Sequence, residues 1–158
     1  PDRLARHPMP HCHLLTPVGP ITVFEEPDGL VAVEWGRAPD PSETPLLGEA
    51  RRQLDAYFDR ALTDFDLPLA PAGSPFQLAV WEGMRRIPYG AMRTYGDLAR
   101  ETEGSAQAVG GACGDNPIPI IIPCHRVVGA DGHMVGYSGA GGVETKQALL
   151  RLEGALLV

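Results

Sequence analysis

Asn116-Pro-Ile-Pro-Ile-Ile-Ile-Pro-Cys-His-Arg-Val-Val128 is the stretch on which the reading of this chain turns. Ile118, Ile120, Ile121 and Ile122 are β-branched and apolar, which predicts an extended, buried segment. Pro117, Pro119 and Pro123 exclude a regular helix or a central strand. Apolar backbone therefore runs straight into three polar side chains, Cys124, His125 and Arg126. A free cysteine is most often a small buried hydrophobe. A thiol beside an imidazole and a guanidinium stands instead in the electropositive setting that favours the thiolate, the form that acts as a nucleophile. At this point the residues leave both readings of Cys124 open.

Upstream, Phe76, Val80, Trp81, Met84 and Ile87 recur at helical spacing, and Pro88-Tyr-Gly90 stops the helix they define. Thr94 is a good N-cap for a helix over 95–102, with Asp97 as a shorter stand-in for the capping-box Glu. After the turn at Glu103-Gly104, Ser105 caps a second helix over 106–113, which Gly114-Asp-Asn116 ends. Two short helices around a Gly-containing turn form a helix-turn-helix pattern, whose second helix can enter a nucleic-acid groove. That helix is nearly bare: Ala106, Ala108, Gly110, Gly111 and Ala112 let its backbone approach another surface closely. The surface is either another part of the same domain or DNA, and in the second case Gln107 is the residue with the reach to touch bases. Cys113, on the same helix, reads as a packing residue.

Ahead of these helices, 13–16, 21–24 and 30–35 read as a three-strand antiparallel meander, with turn signals at Pro17-Val-Gly-Pro20 and Pro27-Asp-Gly29. Leu46, Leu47, Ala50, Leu54, Tyr57, Phe58 and Leu62 predict an amphipathic helix over that sheet, and 64–69 a further strand. Ala70-Pro-Ala-Gly-Ser-Pro75 is the most linker-like stretch, so domains are expected at 1–73 and 74–158. The fold class expected is α/β (α+β): a small N-terminal antiparallel-sheet domain followed by a mostly helical C-terminal domain with a helix-turn-helix.

The 158 residues are 44% apolar, enough for a real core in one domain or two small ones. No apolar run is long enough to span a bilayer, and residues 1–12 lack a secretory pattern, so no membrane partner is expected. Three cysteines, Cys12, Cys113 and Cys124, are too few for a disulfide framework and suit a reducing cytoplasm. The net charge of −7 looks unsuited to nucleic acid until it is divided. Residues 1–73 carry 6 Lys and Arg against 12 Asp and Glu, whereas 74–158 carry 7 against 8. Arg85, Arg86, Arg93 and Arg100 in the second half form either a phosphate-facing patch or a solvated helix face. His7, His11, Cys12 and His13 lack the second, separated ligand pair of a structural zinc site.

Taken in order, Ile87-Pro-Tyr-Gly90, Thr94-Tyr95, Ala108-Val-Gly-Gly-Ala112, Asn116-Pro117, Ile122-Pro-Cys-His-Arg-Val127, Gly136-Tyr-Ser-Gly139 and Lys146 followed by Leu149-Leu150 and Glu153 resemble the O6-alkylguanine-DNA alkyltransferases, the methylated-DNA-protein-cysteine methyltransferases. The likeness is strong over about 74–154 and looser over 14–70. It implies a ribonuclease-H-like N-terminal domain and a helical C-terminal domain that binds DNA. It also implies single-turnover, irreversible transfer of a methyl or other alkyl group from guanine O6, or thymine O4, to Cys124.

By the same resemblance His125 removes the thiol proton through a water and Glu153 orients the imidazole. Tyr95 gives a hydrogen bond or proton to guanine N3, and Asn116 ties the recognition helix to the cysteine segment. Tyr137 and Ser138 close on the base, and carbonyls of Cys124 and Val127 accept from the exocyclic amine. Thr94, Gln107, Ala108, Gly111 and Arg126 complete the expected DNA and substrate set. The family pattern has Arg where this chain has Gln107, a shorter and neutral residue, so nucleotide extrusion is expected to be weaker. The family's zinc positions hold His7, Glu26 and Val31, and neither metal nor cofactor is expected. The expected partner is alkylated double-stranded DNA, and single-stranded DNA as well, bound by a protein that is a monomer without it. Rival readings are a non-repair lesion sensor on the same scaffold, which lacks the cysteine, and a Cys-His hydrolase or acyltransferase, which leaves the helix-turn-helix unexplained.

Overall fold

The computed structural model describes residues 9–134 and 142–157. The chain divides between Pro71 and Ala72 into two compact units.

In the first unit β1 (His11–Leu14), β2 (Ile21–Glu26) and β3 (Gly29–Trp35) form an antiparallel sheet in that order, the meander read from the sequence. Ile21, Val23, Leu30 and Val33 are buried, and α1 (Pro45–Phe58) covers β1 and β2 with Leu47, Ala50, Leu54 and Tyr57. Thr44 caps α1 by accepting the Leu47 N–H, and Pro45 occupies a first-turn position where its missing N–H costs nothing.

The strand expected at 64–69 does not form. Only Leu69 bridges to Leu30, through Leu30 N–H to Pro68 O and Ala70 N–H to Leu30 O, both at 2.8–2.9 Å. Pro68 has no N–H to extend a ladder, and the Asp66 N–H is already given to the Gln53 side chain at 2.8 Å. Gly29 explains the close approach here: a Cβ on it would lie 2.6 Å from Pro68 O, and its φ is +144°.

The second unit opens with α2 (Pro75–Arg85), capped by Ser74 in a full capping box with Gln77. Val80, Trp81, Met84 and, just beyond the helix, Ile87 point inward. The short strand β4 (Arg93–Thr94) leads into α3 (Tyr95–Thr102), where Thr94 and Asp97 form the expected reciprocal box. Glu103, at φ +57°, turns the chain into α4 (Ala106–Gly114), capped by Ser105. After the 116–123 segment come a 3-10 turn (Cys124–Arg126), β5 (Val127–Val128), a second 3-10 turn (Ala130–Gly132) and α5 (Val143–Leu152).

Residues 118–122 are buried as read but are wound rather than extended. Ile122 N–H reaches back to Ile118 O at 2.9 Å, Pro119 bridges Ile122, and Ile120 has φ +75°. A β-branched residue rarely takes that conformation. Ile120 is only 1% exposed, so burial of its side chain offsets the backbone cost.

Candidate active site

The short parallel pair β4–β5 sets Arg93 against Val127 and Thr94 against Val128. It ties the strand entering Tyr95 to the strand leaving the Cys124 turn. Asn116 fixes the other end of that turn. Its side chain donates to Ile122 O at 2.9 Å and accepts from Ile118 N–H at 3.0 Å. Its backbone N–H bonds Cys113 O at the end of α4, so one residue joins the bare helix to the cysteine segment. Trp81 also holds α4, donating its indole N–H to Ala112 O at 2.8 Å.

Cys124 and His125 are buried, His125 completely. His125 Nε2 lies 2.7 Å from Glu153 Oε2, and a carboxylate there fixes the tautomer with the proton on Nε2. Nδ1 is then an acceptor. Among the described residues it is the buried side-chain nitrogen or oxygen with no hydrogen-bond partner. Burial holds the imidazole below its ordinary range, against the pull of Glu153, so the ring rests neutral and can accept a proton. Burial also pushes the Cys124 thiol up, while its hydrogen bond with Asn116 and the charge of Lys146 pull it down. The thiol thus rests protonated beside groups that favour its ionised form.

Tyr95, at the start of α3, is half-buried, and burial with the nearby Cys113 and Cys124 pushes its phenol up to about 12. It stays a proton donor at neutral pH. Cys113 is likewise pushed up to about 12, first by burial, so it keeps its proton at neutral pH.

Arg126 corrects the sequence reading. The resemblance groups it with DNA-contacting residues, yet its guanidinium turns inward and each of its nitrogens donates a hydrogen bond. Nε donates to Glu153 Oε1 at 2.8 Å, Nη2 to Glu153 Oε2 at 3.0 Å and Nη1 to Ile87 O at 2.7 Å. The Tyr89 ring covers it at 5.8 Å. A cation 6% exposed, with a hydrogen bond from each of its three nitrogens, is held inside the unit rather than offered to a phosphate. It neutralises and orients Glu153.

The structure therefore brings together Cys124, His125, Glu153, Asn116 and Tyr95. Thr94 is half-buried, with its hydroxyl committed to Asp97 N–H. Val127 is buried, and its N–H already bonds Cys124 O. Gln107, Ala108 and Gly111 are exposed on α4. A Cβ added at Gly110, Gly111 or Gly114 would meet nothing within 4 Å, so packing inside the unit does not account for the bare helix. Tyr137 and Ser138 lie outside the described residues. Lys146, quoted from the sequence only as part of a motif, is fully buried. Its spacing to Leu149, Leu150 and Glu153 already put it on the inward face of α5.

Among the described residues no group of three or more His, Cys, Asp or Glu could hold a metal, and no helix is long and apolar enough to cross a membrane.

Comparison with known proteins agrees with this geometry. The family model described as 6-O-methylguanine DNA methyltransferase, DNA binding domain, matches residues 75–155, and the one described as its ribonuclease-like domain matches 13–71. A methylated-DNA--protein-cysteine methyltransferase of Methanosarcina acetivorans is 43% identical over 89% of this chain and 95% of its own. One from Mycobacterium leprae is 41% identical over 92% and 93%. Among solved structures, Mycobacterium tuberculosis OGT in complex with DNA superposes with a TM-score of 0.82 at 40% identity, covering 92% of each chain.

Proposed function

The chain belongs to the 6-O-methylguanine DNA methyltransferase family, and from that premise we propose that Cys124 is its alkyl acceptor and that His125, Glu153, Asn116 and Tyr95 serve it. The protein is a methylated-DNA-[protein]-cysteine S-methyltransferase that repairs DNA by direct reversal, with alkylated DNA as its partner. The observation that carries the assignment of roles is the orphaned His125 Nδ1, buried beside Cys124 with Nε2 pinned by Glu153. Such a ring needs a water or a thiol to complete it, and it is neutral and ready to take a proton.

In the step proposed, the Cys124 proton passes through a water to His125 Nδ1, and Glu153 stabilises the imidazolium that forms. The sulfur attacks the alkyl carbon, the S–C bond forms and the C–O6 bond breaks. Its electron pair stays on the guanine, and the Tyr95 phenol donates toward N3 as that charge develops. A thioether has no easy reverse path, so each molecule acts once; thymine O4 offers the same leaving chemistry. Gln107, Ala108 and Gly111 face the DNA, with Thr94 and the Val127 carbonyl nearer the flipped base. Tyr137 and Ser138 are proposed on the sequence resemblance alone. The free cysteines support a cytoplasmic location, and we assign a monomer acting on double-stranded and, with less reliance on Gln107, single-stranded DNA.

Incubation with an O6-methylguanine oligonucleotide should add one methyl to the intact protein, located on Cys124 by peptide mass spectrometry, and then stop. Methyl on another residue, or continued turnover, overturns the assignment. Comparing Gln107→Ala with the parent on duplex and single-stranded substrates tests the wedge: equal duplex rates remove Gln107 from that role.

A further inference from the structure

Pro88-Tyr-Gly90 stops α2 and takes no part in the transfer step proposed for Cys124. Its geometry reaches the site nonetheless. Ala91 N–H closes a turn on Pro88 O at 3.0 Å, and Gly90, third of the four residues, has φ +85°, the conformation for which a turn of this kind needs glycine. Tyr89 is thereby held at the corner. On one side, Ile87 O accepts from Arg126 Nη1 at 2.7 Å, and the guanidinium carbon lies 5.8 Å from the centre of the Tyr89 ring. On the other, the Tyr89 hydroxyl donates to Leu152 O at 3.4 Å, and a Cβ on Gly90 would stand 3.5 Å from Glu153 O.

The turn therefore touches both the 3-10 turn that carries Arg126 and the end of α5 that carries Glu153. Those two residues form one buried ion pair. Arg126 Nη2 and His125 Nε2 meet the same carboxylate oxygen, Glu153 Oε2, at 3.0 and 2.7 Å, so a guanidinium that swings disturbs the atom on which the imidazole is pinned. The in-plane donors of Arg126 are directed at Glu153 and Ile87 O. An aromatic ring holds a guanidinium through its face and does not compete for those donors, whereas water does.

We infer that Tyr89 is a positioning residue for alkyl transfer: its ring steadies the Arg126 guanidinium, which fixes Glu153 and, through the shared oxygen, His125. The inference rests on His125 and Glu153 serving Cys124. Tyr89 touches neither the thiol nor the base in this account, so its effect falls on the rate of transfer and not on the affinity for DNA.

The test measures single-turnover methyl transfer at saturating O6-methylguanine duplex, and duplex affinity separately, in the parent, Tyr89→Leu and Tyr89→Phe. Tyr89→Leu should transfer about three- to tenfold more slowly at the parent's affinity, and Tyr89→Phe should recover most of the rate. Pentafluorophenylalanine placed at position 89 keeps the size of the phenyl ring and reverses the charge of its face, so it should be slow like Tyr89→Leu, which packing alone does not require. In a Glu153→Gln background, Tyr89→Leu should add little further slowing, because both changes act through one carboxylate. A parent-like rate for Tyr89→Leu, a loss confined to affinity, a fluorinated ring as fast as Tyr89→Phe, or full additivity with Glu153→Gln overturns the inference. If Tyr89→Leu does not fold, the two rings of equal size decide. A parent-like rate for Glu153→Gln, or absence of methyl on Cys124, defeats the assignment of roles itself and takes the inference with it.

Discussion

Segment 116–128 and helix α4 are joined through Asn116, yet they are opposites. Nearly every residue of the first is buried, and its polar groups, Asn116, His125, Arg126 and Glu153 behind them, are bonded to one another or to backbone. The second shows solvent Ala106, Gln107, Ala108, Gly111 and Gly114, with no charged side chain along its length and with glycines that nothing inside the unit requires. The contrast separates two demands on one small unit. Chemistry needs groups held by contacts within the chain, so each is over-determined. On the proposed reading, contact with DNA needs a surface left unfinished, whose missing partner is the ligand.

Breaking the inner network should have the largest effect. Glu153→Gln leaves Arg126 without its buried counter-ion and His125 without its carboxylate, so stability should fall by about 3–5 kcal/mol. Methyl transfer should slow at least about a hundredfold. Urea melts and single-turnover mass spectrometry measure both, and unchanged stability would mean the turn is fixed by apolar packing alone. Asn116→Ala leaves Ile122 O and Ile118 N–H without that partner, for a loss of about 2–3 kcal/mol by the same melts. The helix should behave in the opposite sense. Gly110→Ala and Gly111→Ala each add a methyl to open space and should gain about 0.5–1 kcal/mol while weakening duplex binding in a fluorescence titration. A gain in stability with undiminished binding would sever the helix from DNA.

The smallest effect is one of pH. Burial raises all three thiols, Cys12, Cys113 and Cys124, above the ordinary 9.0. The folded chain therefore holds protons that the unfolded chain releases as pH rises through 9, and the thiols' contribution to stability declines from there up to their raised folded values. Lys146, lowered by burial, acts in the opposite direction. With three thiols against one ammonium, the melting temperature should decline from about pH 8 to pH 10, and Cys12→Ala should flatten part of that decline.

What the sequence disclosed follows the range of the interactions. The boxes at Thr94–Asp97 and the cap at Ser105 each close within three residues, and both appear as read. The order of chemical types around Cys124 was equally visible, since activation of a thiol depends on immediate neighbours. Features set by distant partners were hidden. Pro68 and Gln53 together undo a strand at 64–69 that propensity favoured. Arg126 turns inward because Ile87 O and Glu153, far along the chain in both directions, complete its bonds. The winding of 118–122 depends on Asn116 taking the Ile118 N–H, which no count of β-branched residues foretells.

The bond from Trp81 to Ala112 O gives the chain an optical property. It contains two tryptophans, Trp35 in the first unit and Trp81 in the second. The Trp81 indole is almost wholly buried and hydrogen-bonded to the last turn of α4, so any displacement of that helix on DNA alters the polarity its excited state feels. Replacing Trp35 with Phe would leave a single emitter, on α2 and bonded to α4, and on the proposed reading of α4 as the DNA-facing helix the colour of its fluorescence would follow engagement and release in real time without an added dye.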